Sequence, residues 1–334
     1  MVPSIEQFKL TLKRGRGDHL PLAELGIHPT IKEKFLGRPI ISLSDEVAFW
    51  QSAGYDYIKL QPRADFKIPG HIIDESIAGS RSWAPEGLGR INSWAEFDRF
   101  DFITAADIDY TVFEQVRPLL SQGMGVIGQY GDIFTMTWGL MGFEGFSYAL
   151  FENPQLVAAI FEKIGQPVLS MFEYLAQCEA VDILWFSDDI AYTSGLLVSP
   201  AILREYFFPW LKKIGDLARR YNKPLIYHSD GVLWDVMEDI IDCGVDALHP
   251  IEPRAMDIAE VKRRYGDRLC LIGNLDVGDL ALAEPDQIRQ TVREIYQQVG
   301  YNGGYCVGSG NSIPDYVKFE NYLAMLDTVK ELNA

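Results

Sequence analysis

The sequence lacks the features of secreted and membrane proteins. Its 334 residues contain four cysteines, at positions 178, 243, 270 and 306, which are too few for a disulfide framework in a chain of this length. No stretch approaches the ~20 apolar residues of a membrane-spanning helix. Residues 1–18 carry charges throughout and contain no apolar segment typical of a secretory signal peptide. We therefore expect a cytoplasmic protein that does not bind membranes.

Positive charge is also scarce. The chain has 30 Lys and Arg residues against 47 Asp and Glu residues, which gives a net charge of −17 at pH 7. Because binding to nucleic acid requires a basic surface, we expect no nucleic-acid partner. A polyanionic small molecule would need a local cluster of Arg and Lys to overcome the field of the protein.

Several catalytic motifs are missing as well. The sequence contains no nucleophile elbow, P-loop, CxxC pair or HExxH, and no Gly-rich dinucleotide fingerprint follows the first apolar run. No linker, charge block or low-complexity run divides the chain. We therefore expect one domain over residues 1–334.

The sequence does contain a repeated pattern of a short apolar run, a polar cluster and an amphipathic helix. Such runs lie at 225–231, 247–253, 269–276 and 305–314, and further candidate strands lie at 20–26, 55–62, 125–132 and 183–190. Alternating strands and helices indicate parallel strands, because parallel neighbours need a crossover connection. Eight strands favour a closed (β/α)8 TIM barrel, an α/β fold, over an open sheet. The surplus length predicts an insertion around residues 63–122, near the barrel mouth.

Polar side chains stand at the ends of these strands, where (β/α)8 barrels carry their active sites. His228 and Asp230 are two residues apart in a strand, so both point to the same face. They can ligate a metal or act as an acid–base pair, and the alternative is a structural pair that closes the barrel. Of Asp188 and Asp189, one should face the pocket as a base, a metal ligand or an amine-binding group. The alternative is that Asp residues here only cap the following loop.

The other candidates complete a ring of polar strand ends. Cys306 is the cysteine nearest to a predicted strand end, and it is either a thiolate ligand or a small core residue. Trp138 lies after the third strand in a segment rich in aromatic and Met residues, which suits either a flat apolar ligand or a helix core. The polar members of the ring are His249, Glu252, Asn274, Asp276 and Asn311.

Seven segments resemble the uroporphyrinogen decarboxylase superfamily, in the same order and over nearly the whole chain. They are FKLTLKRGRGDHLPLAELGI (8–27), FWQSAGYDYI (49–58), LMGFEGF (140–146), FSDDIAYTSG (186–195), IYHSDG (226–231), HPIEP (249–253) and GSGNSIP (308–314). The resemblance implies a (β/α)8 barrel. It also implies one of two activities, because the superfamily contains uroporphyrinogen decarboxylases and methyltransferases that move methyl groups between corrinoids and thiols.

The chain departs from both branches of this superfamily. The RQAGRY motif of the decarboxylases reads AELGIH here (23–28), their late histidine falls on Asn311, and their active-site tyrosine falls near Trp138. Without those arginines, a protein of net charge −17 is a poor receptor for eight carboxylates. The zinc motif of the methyltransferases, His-x-Cys with a later Cys, matches His228 but has Asp230 and Asn311 in place of the cysteines. Asp is a competent zinc ligand, whereas Asn is a poor one.

The resemblance therefore implies a methyltransferase-like enzyme that moves a methyl group between a corrinoid, or a methylated small molecule, and an acceptor. It implies zinc held by His228 and Asp230 with Cys306 or Glu252, or the same His–Asp pair acting directly as base and orienter. Catalysis would involve His228, Asp230 and Asp188, and the corrinoid would be carried by a separate protein. The residues expected to bind substrate are Asp189, Glu252, Asn274, Asn311 and Trp138.

Two alternatives stay open. One is decarboxylation of a porphyrinogen or a smaller aromatic acid, which arginines of the insertion, such as Arg63, Arg81 or Arg90, would support. The other is a non-catalytic small-molecule-binding barrel that has lost its metal. The decarboxylase branch also suggests a homodimer.

Overall fold

Seven parallel strands form a curled sheet at the centre of the molecule. The computed structural model describes residues 2–68 and 89–334. In chain order the strands are β1 (Tyr57–Leu60), β2 (Gly125–Gly131), β3 (Ile183–Ser187), β4 (Ala191–Tyr192), β5 (Gly195–Leu196), β6 (Leu225–His228), β7 (Ala247–His249), β8 (Cys270–Ile272) and β9 (Tyr305–Cys306). The sheet order is β1-β2-β3-β6-β7-β8-β9, and β4 and β5 form a separate antiparallel hairpin. The parallel α/β architecture predicted from the sequence is confirmed.

Helices connect the strands. The α-helices of the described ranges are α1 (Ile5–Leu12), α2 (Pro29–Leu36), α3 (Leu43–Ala53), α4 (Trp94–Phe97), α5 (Thr111–Val116), α6 (Ile133–Met141), α7 (Phe143–Glu152), α8 (Pro154–Gln177), α9 (Pro200–Ile202), α10 (Phe208–Arg220), α11 (Met237–Asp242), α12 (Ile258–Tyr265), α13 (Val277–Leu282), α14 (Pro285–Ile295) and α15 (Phe319–Leu332). Short 3₁₀ segments span Ala105–Asp107, Arg117–Leu119 and Trp234–Val236, and π-helical turns span Leu203–Phe207 and Tyr296–Gly300.

The central strands are apolar because both faces of the sheet are covered. β2, β3 and β6 are buried at every position, as expected for parallel strands flanked by helices. Local signals set the helix ends. In α3, for example, the Ser42 hydroxyl accepts the N–H of Asp45 (3.2 Å). The same helix ends at Gly54, whose φ of 96° suits glycine.

The predicted first strand, 20–26, is not a regular strand. This segment makes two isolated parallel bridges instead, Leu22 with Val307 and Ile27 with Ile313. Pro21 has no N–H to donate, so a continuous ladder is interrupted at the outset. On the other side, Glu24 donates its N–H to the Tyr57 hydroxyl in β1 (3.0 Å). Segment 20–28 therefore contacts both edge regions of the sheet, while an eight-stranded hydrogen-bonded barrel is not confirmed.

The predicted insertion, 63–122, contributes α4, α5 and two 3₁₀ segments in its described part, and its residues 69–88 lie outside the described residues. Its start is anchored by an antiparallel bridge between Arg63 and Asp109. Across residues 2–68 and 89–334, every helix is too short or too polar to cross a lipid bilayer.

Candidate active site

A row of polar side chains crosses one face of the sheet near the carboxyl ends of its strands. Ser187, His228 and His249 are register partners in β3, β6 and β7, so their side chains point to the same face. Gln129 of β2 continues the row by donating from its amide to Ser187 Oγ (2.8 Å). Lys59 of β1 donates in turn to Gln129 Oε1 (2.5 Å). The row thus joins a cation on β1 to two imidazoles on β6 and β7.

The two imidazoles form a buried pair. His228 Nδ1 lies 2.7 Å from His249 Nδ1, and the Trp185 ring packs against the His249 ring at a centroid distance of 5.1 Å. Burial lowers the pKa of His228, an effect that Asp189 opposes and Lys59 reinforces. Burial, His228 and Lys59 all lower the pKa of His249, which falls well below its usual range. Both rings are therefore neutral near pH 7, and one proton lies between the two Nδ1 atoms.

Two carboxylates and one imidazole converge at this end of the sheet. Asp189, His228 and Asp230 each offer one ligand atom, and these atoms all lie within 4.8 Å of one another. His228 Nε2 is 3.5 Å from Asp189 Oδ1, which also accepts the backbone N–H of Asp230 (2.8 Å). Asp230 Oδ1 is buried and has no hydrogen-bond partner among residues 2–68 and 89–334. A set of two oxygens and one imidazole nitrogen suits a divalent cation.

Asp230 is held by its neighbours. Asn311 Nδ2 donates to Asp230 Oδ2, and Glu252 accepts the N–H of Gly231, the next residue in the chain (2.9 Å). Burial raises the pKa of Asp230 to about 8; Asp189 and Glu252 raise it further, and the hydrogen bond from Asn311 opposes them. Burial thus favours the protonated form of this carboxyl group, whereas a cation beside it would favour the carboxylate. The structure therefore brings together His228, Asp230, Asp189, Glu252 and Asn311, as predicted from their positions at strand ends.

A cavity of about 380 Å³ opens beside Asp230. The guanidinium of Arg254 binds Asp276 in its wall, with N–O distances of 2.6 and 3.3 Å. The charged and polar lining residues are Asp230, Glu252, Arg254, Asp276, Asn311, Ser312 and Tyr316. Three of the four charged groups are acidic, and the one arginine is already paired with an aspartate. The cavity therefore favours a neutral or cationic molecule over a polyanion.

Asp188 lies outside this cluster, and the catalytic role expected for it from the sequence stays a prediction. Its carboxylate accepts hydrogen bonds from the backbone N–H groups of Phe134 (2.6 Å) and Thr135 (3.0 Å) and from Thr135 Oγ1 (2.9 Å), at the start of α6. Successive residues of an extended chain point to opposite sides. Asp189 consequently lies beside His228, while Asp188 caps a helix. Burial and then Asp132 raise the pKa of Asp188 well above its usual range.

Cys306 also lies outside the cluster. It is fully buried in β9, where burial and the neighbouring Cys270 thiol raise its pKa well above the usual range. A thiolate ligand is therefore disfavoured at this position. Within the described ranges, the one group of three or more candidate ligands is Asp189, His228 and Asp230. The third member of this group is therefore Asp189, whereas the sequence analysis expected Cys306 or Glu252 beside His228 and Asp230.

Two of the residues predicted to bind substrate, Asn274 and Trp138, make contacts within the protein. Asn274, which has a φ of 81°, donates from Nδ2 to the carbonyl of Ile251 (2.6 Å) and so ties the ends of β7 and β8 together. Trp138 is half-buried in α6, with its ring edge-on to Phe143. Neither residue lines the cavity beside Asp230.

Of the arginines considered for a decarboxylase, the two that the structure describes, Arg63 and Arg90, do not line this cavity. Arg63 pairs through its backbone with Asp109. Arg90 donates to the carbonyl of Lys67 (2.9 Å), and Arg81 lies outside the described residues. Among residues 2–68 and 89–334, the arginine that lines the cavity is Arg254.

Sequence reasoning missed Lys59 and Asp132, and it placed His249 at a strand end without pairing it with His228. His249 and Lys59 are polar members of otherwise apolar strands, and their place on the active face follows once the register is known. Asp132 follows β2 with a φ of 64°, an uncommon conformation for a residue other than glycine. Burial and the charge of Asp189 raise its pKa to about 7. The sequence signal that could have identified Asp132 is a carboxylate directly after an apolar strand.

Comparisons with known proteins agree on the family. A family model described as uroporphyrinogen decarboxylase (URO-D) matches residues 86–332. A uroporphyrinogen decarboxylase of Pseudomonas putida is 30% identical over 191 residues, which cover 55% of this chain and 51% of that protein. In that alignment the chain spans about half of the relative's length. A uroporphyrinogen decarboxylase from another strain of the same species is 26% identical over 308 residues, covering 83% and 82% of the two chains.

Among solved structures, a methyltransferase from Methanosarcina mazei superposes with a TM-score of 0.72 over 100% of both chains, at 16% sequence identity. At that identity the likeness establishes the fold alone. The family match covers well over half of the chain. The chain belongs to the uroporphyrinogen decarboxylase (URO-D) family.

Proposed function

We propose that this chain is a metal-activated, methyltransferase-like enzyme acting on a small molecule in the cavity beside Asp230. The observation that carries the proposal is the convergence of Asp189, His228 and Asp230, whose ligand atoms lie within 4.8 Å of one another. The proposal treats the sheet as a (β/α)8 barrel in which segment 20–28 is the eighth member, since it contacts both edge regions.

The three side chains fit a divalent cation such as zinc. Asp230 Oδ1 is a buried acceptor with no partner in the described part of the chain, and such an atom is costly to leave unsatisfied. His228 Nε2 and Asp189 Oδ1 lie beside it, and Asp189 is about half exposed, with 48% of its side chain accessible. When bound, the cation would act as a Lewis acid that lowers the pKa of an acceptor group.

The residues around the three ligands hold Asp230 and its loop in place, and the reactants bind beside them. Asn311 holds Asp230 Oδ2, and the carboxylate of Glu252 holds the loop at Gly231. In methyl transfer the acceptor loses a proton, its lone pair forms the bond to the methyl carbon, and the donor leaves with the electron pair of the broken bond. If the site holds no cation, His228 and Asp230 take this proton as base and orienter. The methyl donor is a corrinoid carried by a separate protein, or a methylated small molecule.

The charges of the cavity favour this reading over decarboxylation of a porphyrinogen. Asp230, Glu252 and Asp276 line the cavity, and Arg254 is engaged by Asp276. A ligand with many carboxylates would meet repulsion there. The structural likeness to a protein described as a methyltransferase also supports the proposal, as does the loss of the arginine-rich motif at 23–28.

The first test is metal analysis of protein purified without a His-tag. We expect near-stoichiometric zinc in the wild type, loss of zinc in His228→Ala and Asp189→Asn, and retention in Cys306→Ala. Loss of zinc in Cys306→Ala with retention in Asp189→Asn would instead support the ligand set expected from the sequence. If zinc is bound, assays with methylcobalamin and thiol or amine acceptors follow, and His228→Ala should abolish turnover.

A wild-type protein that binds no metal after incubation with zinc would refute the metal-activated mechanism. Acid–base chemistry at His228 and Asp230 would then be tested in the same assays. If His228→Ala and Asp230→Ala keep wild-type ligand affinity and no turnover is found in any protein, the chain is a binding barrel.

A further inference from the structure

We propose that His249 is the positioning residue of the metal site. Its Nδ1 accepts a hydrogen bond from His228 Nδ1–H and thereby keeps His228 in the tautomer whose Nε2 carries a lone pair toward Asp189 and Asp230. The inference rests on the proposed function, since that lone pair is the ligand. It adds a residue outside the cluster of three ligands.

The distance between the two rings requires a shared proton. The Nδ1 atoms are 2.7 Å apart, so one of them is a donor and the other an acceptor, because two lone pairs at this distance would repel. With one proton between the two Nδ1 atoms, that proton belongs either to His228 or to His249. Either His228 donates and its Nε2 is free to bind a cation, or His249 donates and His228 Nε2 carries the other proton.

The distance on the far side of His228 separates these arrangements. If His228 Nε2 carried a proton, it should form a hydrogen bond with Asp189 Oδ1 at about 2.7–3.2 Å. The observed separation is 3.5 Å. Two ligands of one tetrahedral zinc ion, each about 2.0–2.2 Å from it, are about 3.4 Å apart. The pair therefore has the spacing of two ligand atoms rather than that of a donor and its acceptor.

The His249 ring is enclosed by its neighbours. The residue is fully buried, its ring lies at 65° to the Trp185 ring, and it ends β7 as the register partner of His228 in β6. His249 Nε2 has no partner within residues 2–68 and 89–334. This nitrogen is unsatisfied in both arrangements, so it does not favour either one. The contact between the two Nδ1 atoms couples the two tautomers, so that a His228 protonated at Nδ1 needs His249 as its acceptor, as metal-bound histidines need their partners elsewhere.

Two substitutions separate the hydrogen bond from the bulk of the ring. In His249→Asn the amide oxygen stands close to the place of Nδ1 and still accepts, whereas His249→Leu fills the space without an acceptor. By competition with a chromophoric chelator, we expect zinc binding about 10–100-fold weaker in His249→Leu. Affinity in His249→Asn should stay within about threefold of wild type, with equal melting temperatures as the check on folding. Wild-type affinity in a folded His249→Leu would overturn the inference.

A second measurement needs no variant of His249 and no metal. Long-range ¹H–¹⁵N spectra of zinc-free wild type report the tautomer of each histidine, and His228→Gln identifies the signals of His228. We expect His228 to be protonated at Nδ1; protonation at Nε2 would overturn the inference. An Nδ1–H tautomer in a protein that never binds zinc would uphold the role of His249 and refute the metal-activated function, so the two failures are distinguishable.

Discussion

Glu24 is a buried carboxyl group that joins segment 20–28 to the chain after β9. It is fully buried, and its two oxygens accept the backbone N–H (2.8 Å) and the hydroxyl (2.6 Å) of Ser309. Burial raises the pKa of Glu24 from 4.5 to about 8, although both hydrogen bonds from Ser309 act in the opposite direction. The charged form is thus disfavoured where this segment contacts the sheet.

The raised pKa gives a definite dependence of stability on pH. Between pH 4.5 and about 8 the folded protein keeps a proton on Glu24 that the unfolded chain has released. The free energy of unfolding therefore falls as pH rises through this window. The full gap between the two pKa values corresponds to about 5 kcal/mol, all of it lost above pH 8. This is a large part of the 5–15 kcal/mol typical of a folded domain.

Glu24→Gln removes this titration while keeping the shape of the side chain. Asp230 and Asp132 also have raised pKa values, so the informative quantity is the difference in unfolding free energy between wild type and variant. Between pH 5 and pH 9, we expect the wild type to lose several kcal/mol of unfolding free energy relative to Glu24→Gln. The unfolding free energies are measured by urea unfolding followed by circular dichroism. Equal m values must hold at each pH. Parallel curves for the two proteins would refute the reasoning.

Two further predictions concern residues beside the site. Asp188→Ala removes three hydrogen bonds at the start of α6 and should lower the free energy of unfolding by about 2 kcal/mol in urea titrations. Zinc binding by the folded variant should be unchanged, and a lost metal would restore Asp188 to the site. Lys59→Met removes a positive charge that disfavours protonation of both imidazoles, so NMR titration of metal-free protein should show raised pKa values for His228 and His249. Unchanged pKa values would mean that the charge of Lys59 has no effect on the protonation of these imidazoles.

The strands that were predicted well are those whose apolar run is fully buried. β2 and β3 are covered on both faces, so their sequences are apolar at nearly every position and end in polar residues. Segment 20–26 is also largely apolar, but Pro21 has no backbone N–H to donate. The chain there pairs with the sheet only through isolated bridges, such as that of Leu22 with Val307. The β4–β5 hairpin has two residues in each strand, which is too short for any period to appear in the sequence.

The part of the candidate site that could be predicted is the part that depends only on the alternation of side chains along one strand. His228 and Asp230 share a face for that reason alone. Choosing between Asp188 and Asp189 required one more fact, namely that Ser187 is the register partner of His228. That pairing puts Asp189 on the side of the imidazole. Register is a property of two strands, so no single run of sequence contains it. The contact between His249 and His228 could not be predicted for the same reason, since it depends on the register of β6 and β7.

The position of segment 20–28 also affects how the chain reaches its native state. The hydrogen bond from Ser309 to Glu24 joins residues 285 positions apart, so it cannot form during synthesis until nearly the whole chain has emerged. Contacts this distant in sequence slow folding. Until they form, β1 and the end of β9 remain open edges at which another chain can pair. A nascent chain would therefore depend on chaperones longest at its first residues, and truncation after β8 should yield aggregates rather than a smaller stable protein.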